Sequence, residues 1–133
     1  MSSERIVGTG IDLIETSRME DMVRRWDAHF LDRVFLKSEQ EYSAGKARPE
    51  QHLAGRFAVK EAVSKAFNTG IGPQFGWLDI EVIRDAASGA PSVKLHGKAS
   101  EYARKLGVER IMISLSHTRD YAVASAVLVG SSD

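Results

Sequence analysis

Cysteine is missing from the 133-residue chain. Its absence excludes disulfides, thiolate nucleophiles and cysteine-held zinc or iron–sulfur centres. A surplus of charge of either sign is missing too, with 18 basic residues against 18 acidic ones. Nothing therefore pulls the whole molecule toward nucleic acid or an anionic membrane, and electrostatic recognition has to be local. The opening MSSERIVG has no apolar signal core, and no hydrophobic run approaches the roughly 20 residues of a membrane span. A cytoplasmic protein without a nucleic-acid or membrane partner is expected. There is no HExxH, no P-loop and no recognisable Ser-His-Asp order. There is also no repeat at a solenoid period and no low-complexity segment. What is left is an ordinary globular composition over residues 1–133, a length that suits one domain with a real core.

The stretch AGRFAVKEAVSKAF, residues 54–67, organises the rest. It is free of Pro, Asn and Asp and rich in Ala, Lys and Glu, which suits a helix. Gly55, Ala58, Val59, Ala62, Val63 and Ala66 fall on one small-residue arc. Glu61, Ser64 and Lys65 sit at its margin with Phe57 beside them. Glu61 and Lys65 are four apart and so are surface neighbours. Two readings stand: an ordinary helical ion pair, or a carboxylate and an ammonium placed to hold a metal or a phosphate.

Residues 5–15, RIVGTGIDLIE, read as a strand with Val7, Thr9, Ile11 and Leu13 on one face. Asp12 shares the other face with Ile6, Gly8, Gly10 and Ile14, where another backbone or a ligand can come close. An Asp between Ile11 and Leu13 is unfavourable unless something binds it or water reaches a strand end. The GxG lacks the third glycine of a dinucleotide loop. A helix over 17–26 follows, with Ser17 and Glu20 as a capping box. Met19, Val23, Trp26 and Phe30 point to the core. Arg18, Met22 and Arg25 share a different face, with Arg24 alongside. That stripe suits an acidic helical partner; a solvated charged face is the plainer reading.

A short helix at 30–35 and a second from Ser38 to about residue 46, with Ser38 and Glu41 as capping box, lead to a turn at 46–49. The central helix then begins near Glu50 or Gln51. The loop TGIGPQFG, 69–76, ends it, with Asn68 or Gly70 near its C-cap; such a loop can approach a phosphate or be a plain turn. Strands 78–84 and 92–96 form a hairpin, and helix 97–107 turns Ala99, Tyr102, Ala103 and Leu106 inward. Strands 110–117 and 121–129 form a terminal hairpin around 118–120. His117 stands at that turn, where its ring can reach a ligand or bond its neighbours. The tail 130–133 is expected to fray. The fold class is α+β, a mainly antiparallel sheet packed on a long central helix. Asp12 and Glu61, if brought together, would with water and phosphate oxygens complete the octahedral oxygen shell magnesium prefers, and Lys65 would neutralise phosphate charge. Pattern alone stops at a candidate phosphate and metal site and names no substrate.

The segments GTGIDLIETSRM, LAGRFAVKEAVSKAFNTGIG and ISLSHTRDYAVASAVL, in that order and spacing, resemble the bacterial holo-acyl-carrier-protein synthases, small single-domain 4'-phosphopantetheinyl transferases. The resemblance runs from Ile6 to about Val129. It implies transfer of phosphopantetheine from coenzyme A to a serine of an apo acyl carrier protein, releasing adenosine 3',5'-bisphosphate. It implies Asp12 and Glu61 as magnesium ligands and Lys65 beside the coenzyme A phosphates. Arg56, Phe57 and Gly70 belong to segments that line the coenzyme A site. His117 and Thr118 match a turn that reaches a coenzyme A site of the neighbouring subunit, in a homotrimer with active sites between protomers. Arg18, Met22 and Arg25 fall where such enzymes dock the acidic helix of the carrier. Two departures stand out: Asn68 replaces the first glycine of the usual F-G-T-G, and Trp26 follows Arg25 where some members carry another basic residue. A non-catalytic module binding coenzyme A or carrier is the rival, and the retained Asp12, Glu61 and Lys65 argue against it.

Overall fold

A computed structural model describes residues 3–132, except the side chains of Trp26 and Asp27. The inward placement of Trp26 expected from the sequence, and the tail residue Asp133, lie outside the described residues. The chain runs β1 (Glu4–Glu15), α1 (Thr16–Val34), α2 (Lys37–Ala44), α3 (Pro49–Ala66), a single-turn helix (Trp77–Asp79), β2 (Ile80–Arg84), β3 (Pro91–Leu95), α4 (Gly97–Leu106), β4 (Val108–His117) and β5 (Tyr121–Ser131). The strands form two antiparallel sheets among the described residues, one of order β1-β5-β4 and one of β2 with β3. This is the expected α+β architecture, with α3 as its centre.

Helix α3 opens on Pro49 at its first turn, where a missing N–H costs nothing. It crosses the larger sheet from β4 to β1. Near its start Gly55 lies under Leu115, where an added Cβ would sit 3.2 Å from the leucine Cδ1. Near its end the approach is closer: a Cβ on Gly10 would sit 2.0 Å from the Ala62 carbonyl oxygen, and one on Gly8 2.0 Å from that of Ala66. The two glycines of β1 therefore admit a helix backbone, one of the two uses their face offered. Ala122, Ala124 and Ala126 of β5 are buried opposite the buried Ala58 and Ala62 of α3, so the small-residue arc is the core seam.

Several expected boundaries move. The helix expected at 17–26 and the short one at 30–35 are one helix, since nothing between them breaks it. Its N-cap is Glu15 without a side-chain cap, so the Ser17–Glu20 box does not form; the Thr16 N–H instead donates to Asp120 O at 2.8 Å. Helix α2 is opened by Glu39, whose Oε1 accepts the Leu36 N–H at 2.8 Å. Ser38, the cap expected there, donates its hydroxyl to Glu81 at 3.1 Å. A β-bulge between Ile6 and Gly8 breaks the alternation of β1: Val7 packs on the core and Ile6 is 62% exposed. Gly130 and Ser131, expected to fray, belong to β5 and pair with Arg5 and Glu4. Asn68 adopts φ 62 and Gly70 φ 65, so the asparagine carries the left-handed turn as expected. No helix among the described residues is long and apolar enough to cross a membrane.

Candidate active site

The glycine contacts determine where the acidic groups go. Because α3 sits directly on Gly8 at Ala66 and on Gly10 one turn earlier at Ala62, the next residue on that face, Asp12, comes alongside the turn that carries Glu61 and Lys65. Its Oδ1 accepts from the Lys65 ammonium at 2.9 Å, and the same ammonium donates to the Ile11 carbonyl at 3.1 Å. Lys65 thus pairs across to the strand and not with Glu61, so the helical ion pair considered from spacing does not form. The Asp12 side chain is 14% exposed and that of Lys65 49%.

Glu61 stands one turn before Lys65 on the same side of α3. Its carboxylate makes no ion pair or hydrogen bond among the described residues. Burial pushes its pKa above the ordinary 4.5 and the neighbouring Asp12 carboxylate pushes it further, while Lys65 and Arg18 pull it partly back. Two carboxylates thus lie within each other's field, one with a free oxygen beyond its lysine and the other unpartnered. Hard oxygen donors of this kind suit magnesium, which takes few protein carboxylates and leaves other positions to water and phosphate. No group of three or more acidic, histidine or cysteine side chains that could hold a metal occurs among the described residues, so further oxygens would have to come from elsewhere.

Around Glu61 opens a cavity of about 720 Å³ whose lining includes Arg33, Ile71, Gly72, Trp77 and Asp79. It adjoins a more apolar groove of about 660 Å³ between α1 and α3, formed by Met22, Phe30, Arg33, Phe57 and Trp77. Phe57 stacks on Trp77 with ring centroids 4.9 Å apart. Met22 is half-buried in this groove, while Arg18 and Arg25 are exposed on α1. Arg24 is drawn aside to Asp21 at 3.4 Å. Gly70 follows α3 on a loop whose Thr69 and Gly70 N–H groups both donate to Ser64 O at 3.2 Å.

Arg56, His117 and Thr118 lie elsewhere. Arg56 is 3% exposed, lies over the Tyr42 ring at 4.0 Å and donates to His52 O at 3.3 Å. The His52 ring is 5.4 Å from that of His117. Burial lowers the His52 pKa, and the positive fields of His117, Arg56 and Lys46 add to it. Thr118 closes the hairpin, its carbonyl accepting from Gln51 at 2.6 Å. From His52 to Glu61 α3 rises roughly 13 Å at 1.5 Å per residue, so one chain does not bring His117 to the Asp12–Glu61–Lys65 group. Lys46 and Arg56, with the rings of His52 and His117 beside them, form a second locus, one that sequence reasoning saw only in part.

Sequence reasoning missed Lys60 altogether. Its ammonium is buried beside Glu39, with Nζ to Oε1 at 2.7 Å and both side chains 0% exposed. The signal was there: Lys60 is next to Glu61 but on a different face, in line with Arg56 one turn earlier.

Residues 8–126 match the family model of the 4'-phosphopantetheinyl transferase superfamily. A similar relative is a holo-[acyl-carrier-protein] synthase from Geobacter sulfurreducens, 46% identical over 123 residues, which are 92% of this chain and 97% of the relative. Among solved structures, a holo-[acyl-carrier-protein] synthase from Neisseria meningitidis superposes with a TM-score of 0.86 at 28% identity, over 93% of this chain and 98% of the other. One from Bacillus anthracis, in complex with CoA (3',5'-ADP), superposes with a TM-score of 0.77 at 37% identity, over 94% of this chain and 97% of the other.

Proposed function

The chain belongs to the 4'-phosphopantetheinyl transferase superfamily, and from that premise we propose that residues 1–133 form one transferase domain working at the Asp12–Glu61–Lys65 group. The protein moves 4'-phosphopantetheine from coenzyme A to a serine of an apo acyl carrier protein. The serine Oγ forms a bond to the β-phosphorus, the bond from that phosphorus to the bridging oxygen breaks, and adenosine 3',5'-bisphosphate leaves. The observation that carries the site is the convergence of Asp12 from β1 with Glu61 and Lys65 from α3, forced by the close contact of Gly10 with Ala62.

Asp12 and Glu61 would hold magnesium. When bound, it supplies charge neutralisation at the diphosphate. Lys65 adds a second positive charge beside it, half-exposed and able to turn toward a phosphate. The Glu61 carboxylate makes no ion pair or hydrogen bond among the described residues and faces the cavity, which suits it to take the serine proton directly or through a water it holds. The apolar groove of Met22, Phe57 and Trp77 suits the pantetheine arm, with Gly70 on the loop beyond α3. The exposed Arg18 and Arg25 flank it and suit an acidic carrier helix. Holding diphosphate and serine in line accounts for much of the expected rate.

Ile11, Leu13 and Met112 are 64%, 63% and 51% exposed on one face of the larger sheet. A face this apolar supports assembly of copies. We place it at the core of a homotrimer in which His117, Thr118 and the second locus around Arg56 serve coenzyme A across a subunit boundary. The site of action is the cytoplasm, where carrier and coenzyme A are both present.

The test is incubation with magnesium, coenzyme A and apo carrier, followed by mass spectrometry of the carrier. A carrier heavier by one phosphopantetheine is expected. Binding of both substrates without any mass gain would favour the non-catalytic module instead.

A further inference from the structure

Glu61 has as its neighbour a lysine that never sees water. The Lys60 ammonium spends its three protons on Glu39 Oε1 at 2.7 Å, the Val34 carbonyl at 2.7 Å and the Trp77 carbonyl at 3.1 Å. Glu39 in turn accepts the Leu36 N–H on Oε1 and the Val82 N–H on Oε2, each at 2.8 Å. One buried pair therefore joins the end of α1, the start of α2, the Trp77 turn and β2 to the middle of α3.

The joined parts are the walls of the cleft. Trp77 borders both the cavity around Glu61 and the apolar groove, Val34 borders the groove, and Arg33, next to Val34, borders both. Val34 O is one of the last carbonyls of α1, which no helical N–H can satisfy. If the ammonium is removed, the Val34 carbonyl loses its donor among the described residues, while the Trp77 carbonyl keeps only the Ile80 N–H of its own turn. The tie between the two walls is then gone, and they are free to turn or part.

We propose that Lys60 and Glu39 are positioning residues for the transfer: they set the gap between the end of α1 and Trp77 beside Glu61, and so the seat in which the carrier serine meets the diphosphate. The proposal rests on the reading of this cleft as the transfer site. Neither residue touches substrate; both act through Val34 and Trp77. A buried pair that serves stability alone can be exchanged for neutral groups without loss of function in the folded molecules. A pair that sets a gap cannot.

Two variants test this at a temperature well below their unfolding midpoints. Glu39→Asp keeps the charge but shortens the reach by one methylene. The double variant Glu39→Gln with Lys60→Met removes both charges, so that neither is left buried alone. Steady-state kinetics should show kcat/KM for the carrier down about tenfold or more, the scale set by small misplacements of reacting groups. The affinity for adenosine 3',5'-bisphosphate, which lacks the pantetheine arm that lies in this groove, should change by no more than about threefold, a shift too small for a lost phosphate contact. Glu39→Asp should recover more activity than the double variant. Folded variants with wild-type kcat and KM for the carrier would overturn the proposal. So would failure of both to fold, which would make the pair a folding determinant. An inactive wild-type protein would sink the reading of the cleft, whereas an active wild type with unchanged variants sinks only this proposal.

Discussion

The chain contains two lysine–carboxylate pairs five residues apart on α3, and they are opposites. Lys60 and Glu39 are 0% exposed, with every ammonium proton and both carboxylate oxygens engaged. Lys65 and Asp12 are 49% and 14% exposed, and a third group, the Glu61 carboxylate, stands beside them with no ion pair or hydrogen bond among the described residues. The first pair is closed: nothing more can bind there. The second has one carboxylate oxygen to spare, a half-exposed ammonium and a carboxyl whose charge the site resists. A saturated ion pair holds a fold together, and an unsaturated one is chemistry waiting for a ligand.

Removing one lysine at a time measures the difference. Lys60→Met leaves Glu39 buried without its counter-charge and should lower unfolding free energy by ~3–5 kcal/mol in denaturant titration. Lys65→Met, where water can replace the lysine, should cost under ~1 kcal/mol. Equal costs would erase the contrast. Next in size is Glu61→Gln, which should lower turnover about hundredfold, the loss typical of removing one electrostatic stabiliser of the transition state. It should not lower the melting temperature of the metal-free protein, since the neutral amide avoids a charge that burial and Asp12 both oppose. A variant that lost both activity and stability would make Glu61 structural.

Arg18→Glu with Arg25→Glu should raise the KM for the carrier about tenfold and leave the melting temperature unchanged, because rim charges act on encounter and not on folding. An unchanged KM would return the stripe to a solvated face. The smallest effect is on pH dependence. Glu61 holds its proton more tightly folded than unfolded, so its contribution to stability is present below the ordinary value of 4.5 and is lost as pH rises through the raised one. Metal-free wild type should therefore lose a little stability across that interval, measured against Glu61→Gln, which should lack this component.

How much of this was readable in the sequence follows from the range of each interaction. The small-residue arc of α3 and the glycines of β1 were legible because each is a repeat along one element. The pairing of Asp12 with Lys65 was not, because spacing pointed to Glu61 as the partner and only the tertiary approach of β1 to α3 decides otherwise. The capping boxes at Ser17 and Ser38 failed for a similar reason: Thr16 N–H found Asp120, and Glu39 was drawn inward by Lys60. Local rules offer a cap, and distant partners outbid it. Lys60 stayed hidden, although Arg56 one turn earlier was not, because a lysine in a helix is read as solvated until its partner is known.

The central claim is that Asp12 and Glu61 share one divalent cation. Manganese(II), whose free-ion paramagnetic resonance signal falls on binding, can be titrated into the protein with coenzyme A present and compared with Asp12→Asn and Glu61→Gln. The expected result is one ion bound by wild type and affinity lower by about tenfold or more in each variant, with the fold retained. Undiminished manganese binding in both variants would contradict the account.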